Sequence, residues 1–351
     1  MILCGHMDTV SVGDKNHWHH DPFGAEVEGT KLFGRGAADM KAGLSAMIGA
    51  MAALKKCGIK LRGNITLIAT IYEEPGEEKL IERKGIVDLL DRNAVSGDAT
   101  IITEPTNLVI GLGHKGTCIT TIELHGVSAH SSVPQLGVNA IEKAAKFILA
   151  LHEMPTMEHP LLGKGTWTVN RIHAGDNINV VPDYCKVEVD RRLTLGETSE
   201  TARRDFEQVV DRLISEDKDF RADISFPYVY EPIVIDPKHP IIESLANGFA
   251  HVAGKPATKA AMTYGTDGAW IYHRAEIPVA IFGPGNIERA HKPDEFVQLL
   301  LLSTYQSSNC PWRVQLRHDR SPQFQWENGL FDRRQRYMHY GCWPLETGPH
   351  P

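Results

Sequence analysis

The sequence predicts an α/β fold into which a smaller α+β unit is inserted. Two observations carry this. Apolar runs near the start of the chain each end abruptly in carboxylates, and the middle of the chain reads βαββαβ. The chain opens with Ile2-Leu3-Cys4, a buried-strand fragment, and polar residues follow at once. A domain that begins on an interior strand is expected to lack N-terminal sequence. Residues 39–58 read as a helix, with Leu44, Met47, Ile48, Met51 and Leu54 at spacings of three and four. Asp39 stands at its N-terminus and Gly58 at its end. The run Ile65 to Tyr72 ends in Glu73-Glu74-Pro75, and Ala99 to Thr103 ends in Glu104-Pro105. Both read as buried strands with carboxylates at their C-terminal ends, the edge where open α/β sheets build sites.

The texture changes after about Gly113. Thr117–His125 alternates, and a helix with Val138, Ile141, Ala145, Ile148 and Leu149 on one face follows. Strands are expected at Thr166–Ile172 and Cys185–Leu193. A second helix carries Phe206, Val209, Val210, Leu213 and Ile214, and a strand covers Ala222–Phe226. The α/β texture returns near Ile233, with a helix over Ile241–Val252 stopped by Gly254 and a strand Pro278–Phe282 leading into Gly283-Pro284-Gly285. The expected organisation is a large domain in two parts, 1–113 and 230–300, interrupted by an inserted domain at 114–229. The tail, 301–351, stands apart. It has no Lys, Ala or Ile, yet holds Trp312, Trp326 and Trp343, half of the chain's tryptophans. It reads as a disordered, frameshifted or foreign extension, with a true C-terminal helix as the alternative.

Composition sets the outer bounds. The 351 residues are 42% apolar and 23% charged, enough for a sizeable core. No stretch approaches 18 consecutive apolar residues, and the start has no basic, then apolar, leader. A formal charge of −7 argues against nucleic-acid or anionic-membrane partners. Cys4, Cys57, Cys118, Cys185, Cys310 and Cys342 lack CxxC spacing and read as free thiols of a reducing cytoplasm.

Several polar residues sit where chemistry is built, and each also has a plain reading. His6 and Asp8 form an HxD pair whose side chains fall on one side of an extended chain, so one can ligate while the other orients it. A surface pair is the plain reading. Asp39 after Gly34-Arg35-Gly36-Ala37-Ala38 can be a ligand or simply a helix N-cap. Glu73 and Glu74 repel one another unless a positive charge lies beside them. They are either a solvated acidic turn or a ligand and a free base facing opposite ways. Glu104, His130 (in Ser128-Ala129-His130-Ser131-Ser132) and His291 can all be loop residues. His17, His19 and His20 beside Trp18 read as a polar loop. The set decides more than its members. His6, Asp39, Glu74, Glu104 and His291 make two imidazoles and three carboxylates, enough for two metals if one carboxylate bridges. Such nitrogen and oxygen donors suit zinc, with cobalt or manganese as substitutes. Glu73 is then available to take a proton from a metal-activated water and deliver it to a leaving amine.

With these residues in place, the chain resembles the acetylornithine deacetylase / succinyl-diaminopimelate desuccinylase / aminoacylase family of zinc-dependent amidohydrolases and exopeptidases. The matching segments are GHMDTV (5–10), WHHDPFGAEVEGTKLFGRGAADMKAG (18–43), EEPGEE (73–78), TEPT (103–106), HKG (114–116), SAHSSVPQLGVNAIEK (128–143), NVVPDYCKVEVDRR (179–192), YGTDG (264–268) and GPGNIERAHKPDEFV (283–297), in family order. The resemblance implies a zinc-peptidase-like three-layer α/β catalytic domain with an inserted, ferredoxin-like dimerisation domain. It implies two Zn2+ per subunit, one held by His6, Asp39 and Glu104, the other by Glu74, Asp39 and His291, with Asp39 bridging. It implies Glu73 as general base and then acid, Asp8 as the partner that orients His6, and a cis peptide bond at Asp39–Met40. His130 is implied to swing over the metals of a partner subunit and stabilise the oxyanion, so that a homodimer and a closing motion belong to catalysis. Arg192 and Asn179 are implied to hold the substrate's free carboxylate, and Gly265-Thr266-Asp267 to line the substrate. The wording of HKG, AHSSVPQLGVNAIE and GPGNIERAHKPDEF is nearest acetylornithine deacetylases of arginine biosynthesis. Desuccinylase, aminoacylase or carboxypeptidase activity on an N-acyl amino acid or dipeptide are the alternatives. A fragment retaining only dimerisation is the contrasting reading, because the family's first strand and helix and its closing helix are not recognisable here.

Overall fold

The computed structural model describes residues 1–74 and 85–299. The expectation for the 301–351 tail lies outside them. In chain order the elements used below are β1 (Ile2–His6), β2 (Lys31–Phe33), α1 (Ala42–Lys56), β3 (Thr66–Thr70), α2 (Gly85–Asp91), β4 (Thr100–Ile102) and β5 (Ile110–His114). Then come β6 (Gly116–His125), α3 (Ala140–Ala150), β7 (Thr166–Ala174), β8 (Tyr184–Leu193), α4 (Ser199–Glu216) and β9 (Ala222–Tyr230). The chain continues with β10 (Ile233–Val234), α5 (Pro240–Ala253), β11 (Lys259–Met262), α6 (Gly268–Ala275), β12 (Val279–Ile281) and β13 (Phe296–Gln298).

A seven-stranded mixed sheet runs β10-β5-β12-β4-β1-β3, with β11 also on β5. Its strands β12, β4, β1 and β3 are parallel neighbours. Residues on β1 and β4 are buried nearly throughout, because helices cover the sheet. Leu3 packs with Leu44 and Met47 of α1, while Ile2 and Cys4 face Ile86, Ile271 and Ile281 on the other side. This alternation is what a strand buried on both faces requires. Parallel pairing has a functional consequence: the C-terminal ends of β1, β3, β4 and β12 all open on one edge.

The second sheet is antiparallel, in the order β7-β8-β6-β9. With α3 and α4 it gives the βαββαβ, ferredoxin-like arrangement that the sequence predicts. The strands alternate buried and exposed, as on β8, and the buried side meets Phe147 of α3 and Phe206 of α4. The two sheets are joined at close quarters. Lys115 alone separates β5 from β6, and Glu231 and Pro232 separate β9 from β10. At that crossing Gly113 has φ +148° and a Cβ there would lie 2.0 Å from the Ile233 carbonyl, so only glycine fits.

Two expectations are corrected, for the start of α1 and for the end of β9. Asp39 does not cap the helix: α1 begins at Ala42, and residues 37–41 form a separate wide turn in which Asp39 has φ −118° and ψ 98°. The Asp39–Met40 bond is cis. The last strand of the small sheet runs on to Tyr230, past a register shift between Ser225 and Tyr228. Pro227 sits in that irregularity on an edge strand, where a missing N–H is tolerated. His19 and His20 do lie in a polar loop, where His20 stacks on Phe33 with ring centroids 3.8 Å apart and meets Glu26 at 2.9 Å, and His19 meets Asp294 at 2.6 Å.

Helix α1 reaches the site edge through one contact without a side chain. A Cβ on Gly43 would lie 2.0 Å from the Thr103 carbonyl oxygen, next to Glu104. Alanine is favoured over glycine in a helix by about 1 kcal/mol, but here the clash opposes it. Gly43→Ala is expected to destabilise the protein by about 1–3 kcal/mol, read as a lower urea midpoint at unchanged slope. An unchanged or raised midpoint would show that α1 and β4 can separate freely.

Candidate active site

Each residue of the cluster arrives from the end of a parallel strand or from the turn beside it. His6 ends β1, Glu73 and Glu74 follow β3, Glu104 follows β4, and His291 lies beyond β12. Asp39 comes in from the turn before α1. His6, Asp39, Glu74 and Glu104 are buried, Glu73 is half-buried and His291 is exposed at the rim.

The two oxygens of Asp39 face different partners. Oδ1 is 3.1 Å from His6 Nε2, and Oδ2 is 3.3 Å from His291 Nε2. Glu104 Oε1 lies 3.7 Å from His6 Nε2, and Glu74 Oε1 lies 2.8 Å from His291 Nε2. One carboxylate therefore stands between two pairs, each made of one histidine and one glutamate. Ligand atoms of His6, Asp39 and Glu74 lie within 4.8 Å of one another, and so do those of His6, Glu73 and Glu104. Glu73 thus enters the same cluster.

The field of these carboxylates is strong. Burial pulls the His6 imidazole down, but Glu104, Asp39 and Glu73 more than reverse this and push it up to about 12. His291 is raised to about 10, chiefly by its hydrogen bonds to Asp39 and Glu74. Burial raises the Asp39 carboxyl, but hydrogen bonds from His291 and His6 outweigh it and hold the carboxyl well below the usual range. Burial pushes Glu73 up to about 8 and Glu104 well above its ordinary value, with neighbouring carboxylates adding to both. A site that forces protons onto imidazoles and carboxyls attracts cations generally. The donor set of two imidazoles and hard oxygens fits a pair of divalent ions.

His6 is oriented differently from the sequence expectation for Asp8. Nδ1 donates to the Asp8 main-chain carbonyl at 2.9 Å, and the Asp8 carboxylate is 3.6 Å away. That carboxylate instead accepts the Glu74 N–H at 3.2 Å, tying the ends of β1 and β3 together. With Nδ1 occupied by a carbonyl, Nε2 is the ring nitrogen that faces the carboxylates.

The remaining sequence candidates lie elsewhere. His130 and Asn179 are neighbours on the small sheet's side: both are exposed, Ser131 N–H donates to the Asn179 carbonyl, and His130 Nδ1 meets Ser132 Oγ at 2.8 Å. Among the described residues, neither touches the cluster. Arg192, on β8, is half-buried and donates to Asp190 at 2.8 Å. Gly265 backs onto the Tyr230 hydroxyl, which its Cβ would overlap. Thr266 is buried, its hydroxyl accepting Gly268 N–H and meeting His114 Nε2 at 3.2 Å.

Two residues outside the donor set meet it: Asp267, expected from the resemblance only as part of a substrate-lining loop, and Glu295, to which sequence reasoning gave no role. Asp267 accepts from Thr70 Oγ1 at 2.7 Å, at the end of β3, and its charge adds to the rise at Glu73. Glu295 is fully buried and hydrogen-bonded to the turn that carries Asp39. Both residues lie in segments that carry the resemblance, but the contacts that tie them to the site are to partners far away in sequence, which no local pattern marks.

The family description "Peptidase family M20/M25/M40" matches residues 2–306. A probable succinyl-diaminopimelate desuccinylase from Staphylococcus epidermidis is 30% identical over 336 residues, covering 87% of this chain and 80% of the relative. Among solved structures, an M20 family metallo-carboxypeptidase from Sulfolobus solfataricus superposes with a TM-score of 0.71 at 18% identity, over 86% of this chain and 82% of that one. The Bacillus subtilis YXEP protein, described as a dinuclear metal-binding peptidase of the M20 family, superposes with a TM-score of 0.61 at 18% identity, over 86% and 77%.

One buried titratable group at the junction of the two sheets has a measurable signature. Burial holds His114 down to about 4, and His273 and Arg192 lower it further against the Lys115 carbonyl. The unfolded chain takes up that proton near pH 6.5, so the contribution of neutral His114 is complete above 6.5 and is lost as pH falls toward 4. The span corresponds to about 3 kcal/mol. Unfolding free energies of the wild type and His114→Gln should diverge over this window, with the wild type losing stability faster on acidification. Parallel curves would show that His114 titrates normally in the folded state.

Proposed function

The chain belongs to peptidase family M20/M25/M40 and is a metal-dependent hydrolase of amide bonds, and from that premise we propose that it deacylates an N-acyl amino acid, as acetylornithine deacetylases do. The observation that carries the reading is Asp39 standing between a His6–Glu104 pair and a His291–Glu74 pair, with Glu73 alongside. Two Zn2+ ions, with cobalt or manganese as substitutes, are the cofactors proposed. His6, Asp39 and Glu104 hold one and Glu74, Asp39 and His291 the other. When bound, they lower the pKa of water and polarise the scissile carbonyl.

The chain's own residues do the rest. Glu73 takes a proton from the attacking water as its oxygen bonds to the amide carbon. It returns the proton to the nitrogen as the C–N bond breaks, leaving a carboxylic acid and a free amine. Asp8 fixes His6 through its carbonyl and Glu74 through its carboxylate. Arg192 and Asn179 hold the α-carboxylate, and Gly265 and Thr266 line the substrate. His130 steadies the oxyanion from a partner subunit. Residues 114–229 act as the dimerisation and lid domain of a homodimer, between the two parts of the catalytic domain at 1–113 and 230–300. Support for this comes from β7, an edge strand of its sheet, and from exposed Ile141 and Leu149 on α3 and Ile172 on β7. No helix among the described residues is long and apolar enough to cross a membrane, and we place the enzyme in the cytoplasm, in arginine biosynthesis.

The acetyl preference rests on the segments 114–116, 129–142 and 283–296. The Staphylococcus epidermidis relative favours a second reading, removal of a succinyl group from succinyl-diaminopimelate. Purified full chain loaded with zinc should carry about two ions and cleave N-acetyl-ornithine faster than N-succinyl-diaminopimelate. The reverse order selects the second reading, and cleavage of neither sinks both. Glu73→Gln should lower kcat by roughly 10²–10⁴-fold with metal content unchanged. Full activity in a zinc-loaded Glu73→Gln enzyme would remove Glu73 from its role.

A further inference from the structure

We propose that Glu295 is the positioning residue for the bridging carboxylate, so that the ability to hold a pair of metal ions depends on a side chain that is not a ligand. The inference rests on the dinuclear reading above and adds a residue to it. Glu295 is 1% exposed. Its Oε1 accepts the N–H groups of Ala38 at 2.9 Å and Asp39 at 3.0 Å. Its Oε2 accepts the Gly36 N–H at 3.1 Å and Arg35 Nη1 at 2.6 Å. Three main-chain donors from one turn thus close around a single carboxylate, the concave arrangement that backbone N–H groups make for anions. Arg35, also buried, balances the charge and donates to the Lys292 carbonyl at 3.3 Å, next to His291. Trp18 lies over the Arg35 guanidinium at 5.0 Å.

The consequence is geometric. A bridging carboxylate must offer one oxygen to each side, so the direction of the Asp39 side chain is more constrained than that of a terminal ligand. Asp39 precedes α1 and takes no orientation from the helix, since its φ and ψ are not helical. What fixes its backbone is Glu295, through its own N–H and those one and three residues earlier. The Arg35–Glu295 pair also ties this turn to the segment carrying His291, and so sets the two sides of the bridge relative to each other. The Glu295 carboxylate contacts none of the side chains of His6, Asp39, Glu74, Glu104 or His291 among the described residues, so its influence runs through the backbone. Ordinary stabilisation by a buried ion pair would not discriminate between the two metal positions. Control of Asp39 would.

The test uses the full chain reconstituted with manganese(II) and followed by electron paramagnetic resonance, alongside equilibrium binding of the metal. The wild type is expected to take two ions that are exchange-coupled through the shared carboxylate. Glu295→Gln keeps size and removes charge, and turns an amide N–H toward the backbone donors. It should bind the second ion roughly 10–100-fold more weakly, with the coupled signal replaced by that of isolated ions and the far-ultraviolet circular dichroism unchanged. If Glu295→Gln does not fold, Glu295→Asp, which retains the charge at shorter reach, is read the same way and should show the same loss of coupling. A folded variant with a lower urea midpoint but wild-type second-ion affinity and coupling would overturn the proposal and leave Glu295 a structural ion pair. A wild-type chain that binds no coupled pair would instead overturn the dinuclear reading on which the proposal stands.

Discussion

Like charges gathered out of water must be held there by something stronger than their repulsion, and this constraint governs the molecule. Asp39, Glu73, Glu74 and Glu104 converge on two imidazoles at one edge of the large sheet. Burial, with the neighbouring carboxylates, raises Glu73 and Glu104; Glu104, Asp39 and Glu73 raise His6 against its burial; hydrogen bonds to Asp39 and Glu74 raise His291; and hydrogen bonds from the two imidazoles hold Asp39 down. Such a cluster persists only if rigid elements deliver each group and if positive charge is supplied. The parallel strands meet the first condition, and in the function proposed above a pair of divalent ions meets the second.

The delivery system is distributed. β1, β3, β4 and β12 each end at the same edge, so one sheet brings four separate segments together. Small contacts then set their spacing. Gly43 lets α1 touch the Thr103 carbonyl, Asp8 ties the end of β1 to Glu74, and Thr70 ties the end of β3 to Asp267. Glu295 holds the turn of Asp39 from β13's side of the molecule. The chain crosses between the small antiparallel sheet and this frame at Lys115 and at Glu231-Pro232, and beside the second crossing Tyr228 and Tyr230 of β9 pack against Trp270 of α6.

Elements with a strong period were legible. The βαββαβ unit could be read because antiparallel strands with one wet face alternate, and because Phe206, Val209, Val210 and Leu213 recur on a helix that buries them. Short elements were not. α6 and β11 carry too few residues to show a period, and β2 pairs with β13 across most of the chain. Asp39 misled because an acidic residue before an apolar period resembles an N-cap, whereas the backbone at 37–41 is a separate turn held by a partner more than 250 residues away.

By itself the sequence determined the metal-type donors, their place at strand ends, the α/β class and the inserted α+β unit. These depend on residue type and local spacing, which the chain carries along its length. Only the tertiary structure decided how the donors are shared and aimed: which oxygen of Asp39 faces which histidine, that His6 is oriented by a carbonyl and not by the Asp8 carboxylate, that Asp267 meets Thr70, and that Glu295 holds the turn of Asp39. Those are distances between segments remote in sequence, and no local pattern encodes them. They exist only once the parallel strands have stacked in register and brought their ends to one edge.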